Sequence, residues 1–110
     1  MFDQGEVLIV PYPFTDLTAI KQRPVLILSR AEYNQKGQDL ITCGITSNLR
    51  NEDCSVLIHN GNLAEGQIPV KSRIKADKLF TISQSLVRKR VARVAPYVLS
   101  QVKAELLKII

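Results

Sequence analysis

Apolar positions along the chain come in short runs at the two-residue period of strands until the last fifteen residues, where they switch to helical spacing. Gly5 to Val10 carries Glu-Val-Leu-Ile-Val and predicts a first strand, stopped by Pro11 and Pro13, which cannot donate to a sheet ladder. A loop is expected from Pro11 to Gln22, and a connection of that length in a small domain is usually functional. Arg23 precedes Pro24 and is therefore biased to an extended backbone. A second strand starts there and continues through the apolar run Val25-Leu26-Ile27-Leu28, as in a buried strand. In residues 39 to 47, Ile41, Cys43 and Ile45 share one face while Thr42, Gly44 and Thr46 share the other, so Thr46 is expected to point away from the core.

Cys54 to His59 is another β-rich run. Asn60-Gly61 after it is a turn signal, followed by a Gly-containing stretch to Pro69. Ser72 to Ile82 alternates less cleanly, yet Ile74, Ala76, Leu79, Phe80 and Ile82 suit one more short strand. Pro96 fits a first helical turn, and Leu99, Val102, Leu106 and Ile109 then recur at helix spacing. Ala95 offers no side-chain cap, so packing must hold this terminal amphipathic helix. Several strands followed by one helix predict a mainly β fold, a small antiparallel barrel or sandwich with a C-terminal α-helix, in one domain over residues 1–110.

Fifteen Lys and Arg against ten Asp and Glu give a formal charge of +5, which makes a polyanion a plausible partner without requiring one. Cys43 and Cys54 have neither the spacing nor the number of a disulfide framework or zinc site and read as reduced core thiols. No apolar run is long enough for a membrane span, and Met-Phe-Asp-Gln-Gly lacks the basic start and apolar core of a signal peptide, so a cytoplasmic protein is expected. With one histidine, no Gly-rich phosphate loop, no H-E-x-x-H and no paired Cys/His ligands, neither a metal nor another cofactor is expected. His59, at the end of a predicted strand, reads as a surface or cap histidine in preference to a catalytic one.

Residues 11 to 29, Pro-Tyr-Pro-Phe-Thr-Asp-Leu-Thr-Ala-Ile-Lys-Gln-Arg-Pro-Val-Leu-Ile-Leu-Ser, resemble the opening signature of MazF/PemK toxins. Gly-Ile-Thr-Ser-Asn at 44 to 48 resembles that family's third-strand segment, and Gly66-Gln67-Ile68 followed by Ser72 a later one. Asp77-Lys-Leu-Phe-Thr-Ile82 falls where the family has an acidic residue before an aliphatic-x-Thr-Ile sequence. The segments cover nearly the whole chain in order. The resemblance implies an SH3-like antiparallel barrel, a homodimer, metal-independent cleavage of single-stranded RNA, and neutralisation by an acidic, partly disordered antitoxin.

By local motif, the family's catalytic arginine falls on Arg23 and its catalytic Thr/Ser on Thr46. Attack of a ribose 2′-hydroxyl on the adjacent phosphate gathers charge on phosphate oxygens, which a guanidinium meets two at a time. Arg23 is a poor general base, being always protonated, so charge stabilisation is its expected role, and Thr46 would orient the reacting group. Without the resemblance, Arg23 reads as a strand-start salt bridge and Thr46 as an ordinary strand threonine. Asp77 has two readings, a catalytic-site partner that holds Arg23 or an exposed strand-end carboxylate.

Tyr12 and Phe14 are candidates for stacking on unpaired bases, or anchors packed on the barrel. Lys21, Arg50 and Lys71 are candidate phosphate contacts. The loop before Arg23 lacks the glycine common in the family, which touches its mobility and sequence preference. Arg88-Lys-Arg90, with Arg93 near, lies outside the matched segments and reads as a solvated edge. Two rival functions keep the same architecture: a CcdB-like gyrase poison, which the Arg-Pro and Thr46 matches oppose, and a non-catalytic nucleic-acid-binding barrel, for which charge alone suffices.

Overall fold

Seven strands and two helices form among the residues that the computed structural model describes, 1–13 and 20–110. In chain order they are β1 (Glu6–Pro13), β2 (Ile20–Ile27), α1 (Ala31–Lys36), β3 (Asp39–Thr46), β4 (Ser55–Ile58), β5 (Leu63–Gly66), β6 (Ser72–Ser83), β7 (Lys89–Val94) and α2 (Pro96–Leu107). They pair in the order β4-β6-β3-β2-β1-β7-β5, every pair antiparallel. The sheet curls into a half-barrel, in keeping with the small antiparallel barrel that the alternation predicts.

Alternation along the central strands sends side chains into two cores. Val7, Leu26, Cys43, Ile45 and Ile74 pack on one face with Val98 and Val102 of α2. Leu8, Val10, Val25, Ile27 and Leu40 pack on the other. Burial on both faces explains why Val25 to Leu28 is continuously apolar, as in a strand with no wet side. The helix has no side-chain N-cap bond and is held by Val98 and Val102, each contributing about 1.5–3 kcal/mol by burial. It ends at Leu107, so Ile109 lies beyond it, half exposed, although the spacing had carried the apolar stripe that far.

The expected loop from Pro11 to Gln22 is shorter at both ends. β1 runs on to Pro13, β2 begins at Ile20 instead of Arg23, and Pro11 pairs with Gln22. The prolines fit because β7 pairs with β1 only at Glu6 to Ile9, which leaves Pro11 and Pro13 on a stretch bonded to β2 alone among the described residues.

β5, β7 and α1 are absent from the reading of the sequence. In β7 the charged segment is a strand whose Ala92 and Val94 enter the core while Arg90 and Arg93 bind buried Glu6, so it is an ion-paired element and not a plain solvated edge. α1 is six residues long, too short to show a period. It is anchored by Asn34, which accepts a hydrogen bond from Ser29 Oγ at 2.5 Å and donates to the Phe2 carbonyl at 3.0 Å. Cys54 is not a core thiol: it is half-buried, in the left-handed region at φ 62°.

Gly66 of the matched Gly-Gln-Ile segment has a steric reason. Its φ is +75°, and a Cβ there would lie 2.1 Å from the Val91 carbonyl oxygen.

Candidate active site

Arg23 and Thr46 come together through strand register. Ile27 pairs with Thr42, Leu26 with Cys43 and Val25 with Gly44, and the same register carried two residues further brings Arg23 level with Thr46 on the neighbouring strand. Paired residues share a face, and adjacent strands lie about 4.8 Å apart. Both residues line one open cleft of about 330 Å³, and both are half-buried. The alternation that sends Cys43 and Ile45 into the core turns Thr46 toward this cleft, as expected.

The segment after Thr46 is shaped by its own polar side chains. Asn48 N–H donates to Thr46 Oγ1 at 3.1 Å, and Arg50 N–H donates to Asn48 Oδ1 at 3.0 Å. The first bond occupies an acceptor site of the Thr46 hydroxyl and leaves its proton to donate. The turn delivers Arg50 to the cleft. Arg73 ties the segment to β6, donating to the Leu49 carbonyl at 3.2 Å and to Ser55 Oγ at 3.1 Å.

β6 contributes the remaining charge. Thr46 pairs with Arg73 and Gly44 with Lys75, but Cys43 pairs with Leu79, so residues 76 to 78 bulge out of the ladder. Ala76 turns into the core and its N–H donates to the Cys54 carbonyl at 2.8 Å. The bulge explains the broken alternation of this segment and re-aims Lys78 into the cleft. Lys75 also lines it, bonded to Glu52. Four cations, Arg23, Arg50, Lys75 and Lys78, thus meet one carboxylate, Glu52, a lining charge of +3 among the described residues. Such a wall attracts anions, and phosphate geometry suits the arginines.

Glu52 is held below the usual carboxylate range by its hydrogen bond and attraction to Lys75. It stays ionised at neutral pH and is a weak proton acceptor. The Cys43 thiol is pushed up to about 12 by burial and by the nearby Asp77 carboxylate, so it is protonated and inert as a nucleophile. His59 lies away from the cleft as a cap. Its Nδ1 accepts from Gly61 N–H at 2.9 Å, and its own N–H donates to Asn62 Oδ1 at 2.9 Å. Among the described residues no three His, Cys, Asp or Glu side chains converge to hold a metal ion.

The other residues singled out in the sequence are dispersed. Asp77 is exposed on the bulge, outside the cleft lining. Lys71 is exposed in the turn before β6, also outside it. Lys21 is exposed on β2, paired with Tyr12 of β1. Phe14 lies outside the described residues. Lys75, Lys78 and Phe80 are site residues that the sequence did not disclose. The one signal for them was the imperfect alternation between Ser72 and Ile82. A second groove, of about 560 Å³, is lined by Pro24, Ile68, Val70 and Val91, and Arg23 borders both.

Fold and cleft define a class: a small antiparallel half-barrel with a cationic cleft and a C-terminal helix packed on its core. The chain belongs to the family of PemK-like, MazF-like toxins of type II toxin–antitoxin systems, whose model matches residues 3–110. Its fold is shared with MazF in a MazE-MazF structure from Deinococcus radiodurans, with TM-score 0.81, 21% identity, and 98% of this chain and 94% of that chain covered. It is shared also with a mycobacterial endoribonuclease in complex with its cognate antitoxin, with TM-score 0.79, 17% identity, and 98% and 93% covered. The Mycobacterium tuberculosis toxin MazF-mt6 is similar at TM-score 0.73 and 17% identity, with 94% and 93% covered. Among curated proteins none matches the chain.

Proposed function

We propose that this toxin is an endoribonuclease that cleaves single-stranded RNA without a metal ion, acts in the cytoplasm as a homodimer, and is neutralised by an acidic, partly disordered antitoxin. The observation that carries the reading is the shared cleft of Arg23 and Thr46, walled by Arg50, Lys75 and Lys78. Two of the similar structures are described as endoribonucleases, one of them bound to its antitoxin.

In this reaction the 2′-hydroxyl oxygen attacks the adjacent phosphorus and the bond to the 5′-oxygen breaks. A 2′,3′-cyclic phosphate and a 5′-hydroxyl result, the proton lost by the 2′-oxygen being balanced by one gained at the 5′-oxygen. Charge collects on the non-bridging oxygens, where the Arg23 guanidinium offers two donors. The Thr46 hydroxyl, its oxygen already accepting from Asn48, donates to a phosphate oxygen and fixes the linkage. No step requires a cation beyond those the chain supplies. Asp77, exposed on the bulge and outside the cleft lining, takes no part in the proton transfer on this reading.

Arg50 and Lys21 hold flanking phosphates on this reading, with Lys71 at the periphery, and Tyr12 and Phe14 are proposed to stack on unpaired bases. An acidic segment of the antitoxin seated in the apolar groove beside Pro24 and Val70 would also reach Arg23, and so block substrate. Both cysteines are free, which suits a reducing compartment.

The test is incubation of the purified protein with single-stranded RNA in excess EDTA. Cleavage with cyclic-phosphate ends is expected, and intact RNA at every salt concentration would refute the reading. A sedimentation run at micromolar concentration is expected to give twice the monomer mass.

A further inference from the structure

The cleft holds an aromatic ring that the phosphodiester chemistry does not use. Phe80 is half-buried and lines the same cavity as Arg23 and Thr46. Its backbone is fixed to β3 by the Thr42 hydroxyl, which donates to the Phe80 carbonyl at 3.1 Å. Its ring leans along β3 over Gly44: Cε2 lies 3.4 Å, and Lys78 Cβ 3.7 Å, from where a Cβ on that glycine would stand. A strand interior loses stability with glycine, and such a glycine often marks a place where something must approach the backbone closely. Here the missing side chain forms a floor flanked by a ring and by the stem of a lysine. That floor lies on β3, the strand between those that carry Arg23 and Phe80, and all three line the one cleft.

From this placement we infer that Gly44, Phe80 and Lys78 form a nucleotide subsite beside the scissile linkage, in which an unpaired base stacks on Phe80 and its phosphate meets Lys78. The inference rests on the reading of the cleft as an RNA site and names the part of it that recognises a base. An aromatic ring in a cationic groove is the combination by which single-strand binders hold nucleic acid. The ring takes the base face and the cation takes the backbone. A groove for a bare phosphate or a carboxylate needs the cations alone. Because every base has a π-face, the subsite imposes stacking without a hydrogen-bond code, and it favours the larger purines.

The experiment uses the full chain and single-stranded RNA oligonucleotides methylated at every 2′-oxygen. They cannot supply the nucleophile, so binding is read apart from cleavage. Each carries one 2-aminopurine, moved stepwise along the strand. With the unaltered protein, fluorescence is expected to be quenched strongly at one position. Phe80→Leu should remove that quenching and weaken binding roughly 5- to 150-fold, the range of one base–aromatic stack. The salt dependence should be unchanged, since no phosphate contact is lost. Phe80→Trp keeps a π-face and should retain both quenching and affinity. Lys78→Gln should keep the quenching and reduce the log–log salt slope by about 0.7.

Equal binding and quenching in a folded Phe80→Leu protein, while the unaltered protein still cuts RNA, would overturn the subsite and leave the nuclease standing. Equal loss in Phe80→Leu and Phe80→Trp would assign the ring to packing and overturn it likewise. An unaltered protein that neither binds nor cuts RNA would overturn both.

Discussion

Two cationic regions of this molecule, one a contiguous sequence cluster on β7 and the other assembled in the cleft from residues 23, 50, 75 and 78, differ in how their charge is met. At the β1/β7 side, Arg90 and Arg93 converge on Glu6, whose side chain is completely buried. Glu6 Oε1 also accepts from the Asp3 N–H at 2.7 Å, and Arg93 lies within 3.8 Å of Asp3 and 3.7 Å of Glu65. Cations there are matched by carboxylates, and their ion pairs tie β7 to β1 and β5. In the cleft, four cations among the described residues line the wall beside one described carboxylate, which is itself committed to Lys75. The difference teaches that clustering of arginines does not mark a site by itself: among the described residues the cleft lining carries a local excess of positive charge, and a net positive field attracts an anionic partner.

The strongest way to break this comparison is to exchange the expected effects. Arg23→Ala should lower RNA cleavage by at least about 10²–10³-fold, the scale of one lost donor to a developing oxyanion, with an unchanged melting curve. If activity survives in single-turnover assays, the cleft arginine is structural like its counterparts on β7. Glu6→Gln should do the opposite. Losing hydrogen bonds to a charged, buried acceptor costs about 1.5–3 kcal/mol, read as a lower thermal midpoint at roughly 4–8 °C per kcal/mol. Cleavage per folded molecule should be unaltered at a temperature well below that midpoint.

Glu52→Gln sharpens the contrast with a smaller effect. It removes the one carboxylate of the described lining and frees Lys75, so RNA affinity at low salt should rise a few-fold and the log–log salt slope steepen by about 0.7. Weaker binding in filter or fluorescence titrations would show that Glu52 serves the site instead of opposing it. The smallest effect is in pH. The Glu52 carboxyl is depressed in the folded state, so its bond to Lys75 supports the segment above the ordinary carboxylate range. That support should be lost only as pH falls through the lowered folded-state value. A carboxyl-carbon NMR titration of Glu52 with a midpoint at or above 4.5 would contradict the ion pair.

Arg23 and Thr46 were legible through the family resemblance, and local pattern added the backbone at each. Alternation from Ile41 to Thr46 puts Thr46 on the face opposite Ile45, but Thr42 on that same face is fully buried, so only the fold shows that the face opens into a cleft at Thr46. Pro24 biases the Arg23 backbone to the extended region. His59 was readable as a cap because its partners, Gly61 and Asn62, are two and three residues away. Lys75 and Lys78 were not legible, while Lys71, equally basic, was chosen and lies elsewhere. The bulge of residues 76 to 78 decides which lysines reach the cleft, and a bulge depends on the partner strand. The same holds for β7, whose charged residues hide a strand until Glu6 is brought against them, and for Asp77, whose exposed position follows from that bulge.

From the chain alone came whatever depends on neighbours within a few residues, strand periodicity and the terminal helix, though not the end of β1, which runs on through Pro11 to Pro13; Arg23 and Thr46 stood out only through the family resemblance. Tertiary structure decided everything that joins distant segments. It set the register that levels Arg23 with Thr46, the ring of Phe80 over Gly44, and the division of arginines between a neutralised cluster and an open cleft. The physical reason is that backbone propensity acts over one or two residues, whereas an electrostatic field and a binding floor are sums over side chains that only the folded sheet brings within reach of one another.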